Sequence, residues 1–83
     1  MNHVYVLLSE KDGKSYVGST VDLEKRFHEH NSGKCKSTRY RRPLRLIYSE
    51  NFATISEARK REMFLKTGSG RKELSGIFES IGL

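Results

Sequence analysis

Tryptophan is absent from this 83-residue chain, and cysteine and proline occur once each, at Cys35 and Pro43. A lone cysteine excludes an internal disulfide, which argues for a reducing compartment and a cytoplasmic protein. No Cys-His spacing of a nucleophile surrounds it, so Cys35 reads as a small loop residue. The longest apolar run near the start, Val4 to Leu8, is too short for a membrane span or a signal peptide, and no basic stretch precedes it. No HExxH or CxxC spacing occurs, and His28 and His30, two positions apart on a helix, diverge, so a zinc pair is excluded. The chain is 35% hydrophobic and 31% charged, which suits a globular domain rather than a disordered segment. A single domain is expected over residues 1–83, small enough to bury only about 60% of the surface its unfolded chain exposes.

Acidic residues are also missing where bases gather. Residues 1–30 are net −1 and residues 49–83 net +1, so the overall charge of +6 resides in the interval 31–48. There Lys34, Lys36, Arg39, Arg41, Arg42 and Arg45 stand without one acid, interleaved with Ser37, Thr38 and Tyr40. Such a local excess suits a polyanion, and these six cations are the candidate nucleic-acid-binding residues. The segment has no amphipathic apolar face, which disfavours a membrane surface. Tyr40 reads either as a base-stacking ring or as a loop anchor.

HVYVLL at residues 3–8 is rich in β-branched and aromatic residues, and Asp12-Gly13 signals a turn into a second short strand at Ser15–Val17. In that hairpin Tyr5 and Tyr16 share a face, diagonal rather than opposite. Asp22 or Thr20 caps a first helix that Asn31-Ser32-Gly33 stops. Leu44, Leu46 and Tyr48 alternate with Arg45 and Ile47, giving a third strand over residues 44–49. Thr54 and Glu57 form a capping box for a second helix, from Ile55 to about Lys66. Ser69 caps a final helix striped by Leu74, Ile77, Phe78 and Ile81, while Tyr48, Phe52 and Phe64 are assigned to packing. The order β-β-α-β-α-α implies an α+β fold, a three-stranded, mainly antiparallel sheet flanked by helices.

Two polar sets fall on faces the core should occupy. Leu23 and Phe27 mark the inward side of the first helix, and Arg26 and His30 share it. On the second helix Ile55, Ala58 and Leu65 share a face that also contains Glu62. An inward carboxylate is costly without a cation, a metal or hydrogen bonds. One reading is structural, a Glu62–Arg26 pair with His30 stacked on an aromatic ring. The other is phosphodiester hydrolysis, which needs a deprotonated water, charge stabilisation on phosphate and help for the leaving oxygen. Tyr16 or His30 would then handle the proton, Arg26 would hold phosphate oxygens, and Glu62 would place a divalent cation. Magnesium often takes only one or two protein carboxylates, with water and phosphate completing its shell.

HVYVLL, DGKSYVGST, DLEKRFHEH and EARKREMFLKTGSGRKEL, in that order, resemble the GIY-YIG endonuclease superfamily, in particular its small stand-alone bacterial members. The likeness spans roughly residues 2–75. It implies a three-stranded antiparallel sheet with helices and metal-dependent cleavage of DNA, RNA not being excluded as a substrate. By resemblance Tyr5 shapes the site, Tyr16 is the general base or orients water, Arg26 stabilises phosphate charge, His30 supports proton transfer, and Glu62 binds magnesium or manganese. The first motif lacks its usual glycine, the second is Tyr16-Val17-Gly18, and no Asn follows position 51, where many family nucleases carry one after the metal-binding helix. Larger members carry separate targeting domains, so sequence specificity is expected to be weak or supplied by a protein partner. The competing functions are a non-catalytic nucleic-acid-binding module using residues 34–45 and a protein-interaction domain using the final helix.

Overall fold

The apolar run at residues 4–7 becomes the middle of a sheet because it must be buried on both sides. The computed structural model describes all 83 residues. Strand β1 (Asn2–Ser9) lies between β2 (Ser15–Thr20) and β3 (Leu44–Phe52), antiparallel to each. Helix α1 (Leu23–Asn31) follows β2, and α2 (Ile55–Leu65) and α3 (Gly68–Ser80) follow β3. The α+β order is therefore the expected one. A short 3-10 turn, Arg39–Arg41, lies in the basic loop.

Gly13 closes the first hairpin with a φ of +73°, a value that Asp12 or Lys14 would adopt only with strain. The register then places Tyr5 opposite Gly18 and Leu7 opposite Tyr16, so the two tyrosines share one face diagonally. On that face Tyr5, Leu7 and Leu44 form a small core with Tyr16 and with Leu23 and Phe27 of α1. On the other, Val4, Val6 and Val17 pack with Ala58, Leu65 and Leu74 of α2 and α3. The sheet thus separates two compartments.

Strand β3 extends to Phe52, beyond the expected end at residue 49, and its alternation does not hold. Val6 pairs with Tyr48 while Leu7 pairs with Leu46, leaving Ile47 as the extra residue of a bulge. The bulge switches the faces: Leu44 lies on the α1 side, whereas Ile47, Tyr48 and Phe52 pack toward α2 and α3.

The helix ends differ from expectation in one place. Thr67, not Ser69, caps α3, its hydroxyl accepting from the Gly70 N–H at 3.1 Å, and Ser69 lies inside the helix. Ile55 is 53% exposed and Ile81, past the end of α3, 46% exposed, so neither belongs to the core. Phe64 is likewise exposed and lies under the Arg61 guanidinium at 5.6 Å rather than packing inward. Leu74, Ile77 and Phe78 do pack at home, which removes the apolar stripe that an interaction helix would offer. Arg61 joins three elements, bidentate to Glu50 of β3 at 2.7 and 2.9 Å and paired with Glu73 of α3 at 2.6 Å.

Candidate active site

Asp22 starts α1 by accepting the Lys25 N–H at 3.1 Å, and this cap sets the rotation that sends His30 inward and His28 to solvent. His30 is 0% exposed. Its Nε2 lies 2.9 Å from the Tyr5 hydroxyl and its Nδ1 2.7 Å from the Thr38 hydroxyl. A neutral imidazole has one donor and one acceptor nitrogen, so the row Thr38–His30–Tyr5 is polarised in a single direction, whichever tautomer is present. Tyr16 packs against the same imidazole with ring centroids 5.1 Å apart, and Tyr5 meets it edge-on at 5.7 Å.

The environment keeps this row uncharged. Burial lowers the His30 pKa, and the Arg26 charge lowers it further against the opposing effect of Glu29. Burial pushes the Tyr5 phenol up to about 12, so it stays protonated near neutrality. Arg26 lies beside the Tyr5 hydroxyl, outside hydrogen-bond geometry, and its own pKa is raised first by that hydroxyl. Its ion pair runs to Glu29 at 3.3 Å, one turn along α1.

Gly18 makes the arrangement sterically feasible. A Cβ at that position would collide with the hydroxyl and ring carbon of Tyr5, so the glycine is a close-approach residue rather than a simple strand end.

Glu62 forms no hydrogen bond or ion pair with any of these residues. One carboxylate oxygen accepts from Ser19 Oγ at 2.6 Å and the other from Lys66 Nζ at 2.8 Å. Ser19 pairs with Val4 and shares its face, so Glu62 reaches the edge strand β2 from the α2 and α3 side of the sheet, where Tyr16 and Lys66 line one groove. The Glu62–Arg26 pair is not formed. Partial burial works against ionisation, but the hydrogen bonds from Lys66 and Ser19 outweigh it and hold the carboxyl below its ordinary range. The result is an anionic hard-oxygen donor, the type a divalent cation takes. No group of three metal-ligating side chains surrounds it, so water and a substrate phosphate would have to fill the remaining positions.

The GIY-YIG catalytic domain profile matches residues 1–74. The chain belongs to the GIY-YIG family. It is 46% identical over 78 residues to UPF0213 protein SSP2268 of Staphylococcus saprophyticus, covering 93% of this chain and 95% of that one. It is 41% identical over 73 residues to UPF0213 protein YazA of Bacillus subtilis, covering 87% and 74%. The solution NMR structure of UPF0213 protein BH0048 from Bacillus halodurans is similar with a TM-score of 0.54 and 36% identity, over 93% of this chain and 85% of that one. GIY-YIG membership implies a nuclease and a nucleic-acid substrate.

The six basic-loop residues are not equivalent in this GIY-YIG chain. Lys34 and Lys36 are exposed and form no ion pair. Arg41 lies 3.4 Å from Asp12 and donates to the Ser15 carbonyl, and Arg45 lies 3.9 Å from Glu10, so the hairpin acids offset two of the six charges. Arg42 donates to the Arg39 carbonyl at 2.8 Å, and Arg39 sits 6.0 Å from the Tyr40 ring. Tyr40 is 75% exposed, so it anchors nothing. Cys35 is a loop residue as expected, and it is buried.

Three participants escaped sequence reading. Thr38 is fully buried against His30, Ser19 holds Glu62, and Asn31 clamps the start of β3 by pairing with both backbone groups of Leu44 at 2.8 and 2.9 Å. Asn31 read only as a helix stop, and Thr38 only as a polar loop residue. Ser19 alone had a local signal, its place directly after the Tyr16-Val17-Gly18 motif.

Proposed function

We propose that this protein is a divalent-metal-dependent endonuclease that hydrolyses DNA phosphodiester bonds with little sequence preference of its own. The observation that carries the reading is the row Thr38–His30–Tyr5 with the Tyr16 ring packed at a tilt against its imidazole. Tyr5 and His30 are sealed from solvent, whereas Tyr16 is half-exposed, so Tyr16 is the member of the set that can meet a water or a phosphate. Tyr16 therefore orients the attacking water or takes its proton. His30 and Tyr5 act through it, holding its ring by packing while their hydrogen bonds fix the imidazole. Arg26, half-buried and permanently charged, holds the phosphate oxygens as negative charge develops.

Magnesium or manganese, when bound, supplies charge stabilisation and a more acidic water. Glu62 is the residue that would hold it. Its link to Lys66 is an exposed contact that an incoming cation can displace at small cost. The basic loop contributes salt-dependent attraction to phosphates.

The test is nicking of supercoiled plasmid with magnesium or manganese by the wild type, Glu62→Ala and Tyr16→Phe. Nicking by the wild type alone, with both variants still binding DNA, supports the nuclease. Equal silence with equal binding by all three would leave a binding module in its place.

A further inference from the structure

The outer edge of β2 borders a groove of about 790 Å³ that reaches from Tyr16 across to α3. Three cations line it, Lys14, Lys66 and Arg71, and no acid does. Lys14 and Arg71 form no ion pair. Arg71 lies in the first turn of α3, a turn without acidic residues, where a cation opposes the helix dipole. Its position is thus unfavourable for the folded chain alone. The floor is apolar, with Leu65 and Leu74 buried and the Phe78 ring half-buried.

The groove is also continuous with the basic loop. Arg41 donates to the carbonyl of Ser15, and Ser15 lines the groove beside Lys14. Arg41 and Lys66 are paired with Asp12 and Glu62, so the uncompensated charges of the groove are Lys14 at one end, beside Tyr16, and Arg71 at the other. Cations along a channel with aromatic rings in its wall are the combination that binds unpaired strands, where phosphates meet the charges and bases stack. The volume falls in the ~300–1,000 Å³ range of small-ligand sites. That is room for a short stretch of one strand.

We infer that this groove holds an unpaired nucleic-acid strand flanking the cut phosphate, so that the preferred substrate has a single-stranded segment at the cleavage site. The placement of the cut beside Tyr16 rests on the nuclease reading. The occupancy of the groove can be tested without it.

The experiment is fluorescence anisotropy in EDTA with a labelled single-stranded DNA and a blunt duplex of equal length. It compares the wild type, the exposed-site double variant Lys14→Ala/Arg71→Ala, and Lys72→Ala, an exposed lysine of α3 outside the groove. The double variant is expected to bind the single strand about tenfold more weakly, with a salt slope shallower by about 1.4, two phosphates at ~0.7 each. Duplex binding should fall less, and Lys72→Ala should change either affinity by under about twofold. Unchanged single-strand affinity in the double variant, or an equal loss in Lys72→Ala, overturns the proposal. Nicking by the wild type is scored in parallel. A groove effect without nicking removes the nuclease reading alone, and nicking without a groove effect removes this inference alone.

Discussion

The Tyr5 hydroxyl and the His30 Nε2 lie 2.9 Å apart, and neither side chain reaches solvent. A buried hydrogen bond of this kind is worth modestly more than its loss to water, but an orphaned partner costs the full desolvation of that group. Tyr5→Phe leaves Nε2 unpaired while keeping the ring. It is expected to lower the unfolding free energy by about 1–3 kcal/mol. Urea denaturation measures this, and an unchanged midpoint would mean that the row does not hold the fold.

The same burial makes stability depend on pH. His30 has a lowered pKa in the folded chain, against about 6.5 when unfolded. Between these values the unfolded chain binds more protons, so stability rises with pH across that window. The His30 contribution is complete above about pH 6.5 and is lost progressively as pH falls below it. Urea midpoints at a series of pH values should show this decline, and His30→Gln should flatten it. A wild-type curve parallel to that of the variant would contradict the assignment.

Periodicity identified which side chains turn inward, because a helix repeats every 3.6 residues wherever it is placed. It brought Arg26 and His30 of α1 to the tyrosines as expected. It also turned Glu62 inward, but it does not tell which face of the sheet a helix covers. Since α2 covers the face opposite α1, Glu62 meets Ser19 and Lys66 instead. Similarly, one bulged residue in β3 defeats strict alternation, and Leu44 and Tyr48 part company. Thr38 was illegible for a different reason. Its contact with His30 depends on how the loop closes, and the ties that close it, from Asn31 to Leu44 and from Ser9 to the Arg41 carbonyl at 2.6 Å, link positions far apart in the chain.

Gly18 should tolerate no side chain. In Gly18→Ala the new Cβ overlaps the Tyr5 hydroxyl and ring, and β1 and β2 cannot separate without breaking their ladder. The expected cost is about 1–3 kcal/mol, as for other overpacked sites. Combined with Tyr5→Leu, which removes the overlapping atoms, the loss should be less than the sum of the two single variants. Additive losses in denaturation would show that the crowding lies elsewhere.

Within the basic loop the charges should divide by their partners. Lys34→Ala/Lys36→Ala removes two cations that have no acid nearby, so the salt slope for duplex DNA should shallow by up to about 1.8, at ~0.9 per phosphate contact. Arg41→Ala also strips Asp12 and the Ser15 carbonyl of a partner, and its effect should fall more on stability and less on affinity. Anisotropy titrations over a range of salt, paired with urea denaturation, separate the two. Equal slopes for the wild type and the lysine pair would remove those residues from the interface.

Tyr16 provides the sharpest separation of chemistry from fold. Its ring packs on His30 and on the small core of Leu7 and Leu44, whereas the row of buried hydrogen bonds runs through Tyr5. Tyr16→Phe keeps the packing surface and removes only the hydroxyl, so stability should change by less than about 0.5 kcal/mol, as for surface substitutions. If that hydroxyl orients water or takes its proton, nicking should fall by about 10²–10⁴, the usual contribution of a positioned acid or base. Tyr5→Phe should behave inversely, losing more stability and, because Tyr5 is sealed from solvent, less of the rate. Measured together, a larger rate loss in Tyr5→Phe than in Tyr16→Phe would reverse the roles of the two tyrosines and place the water on the sealed side of the imidazole.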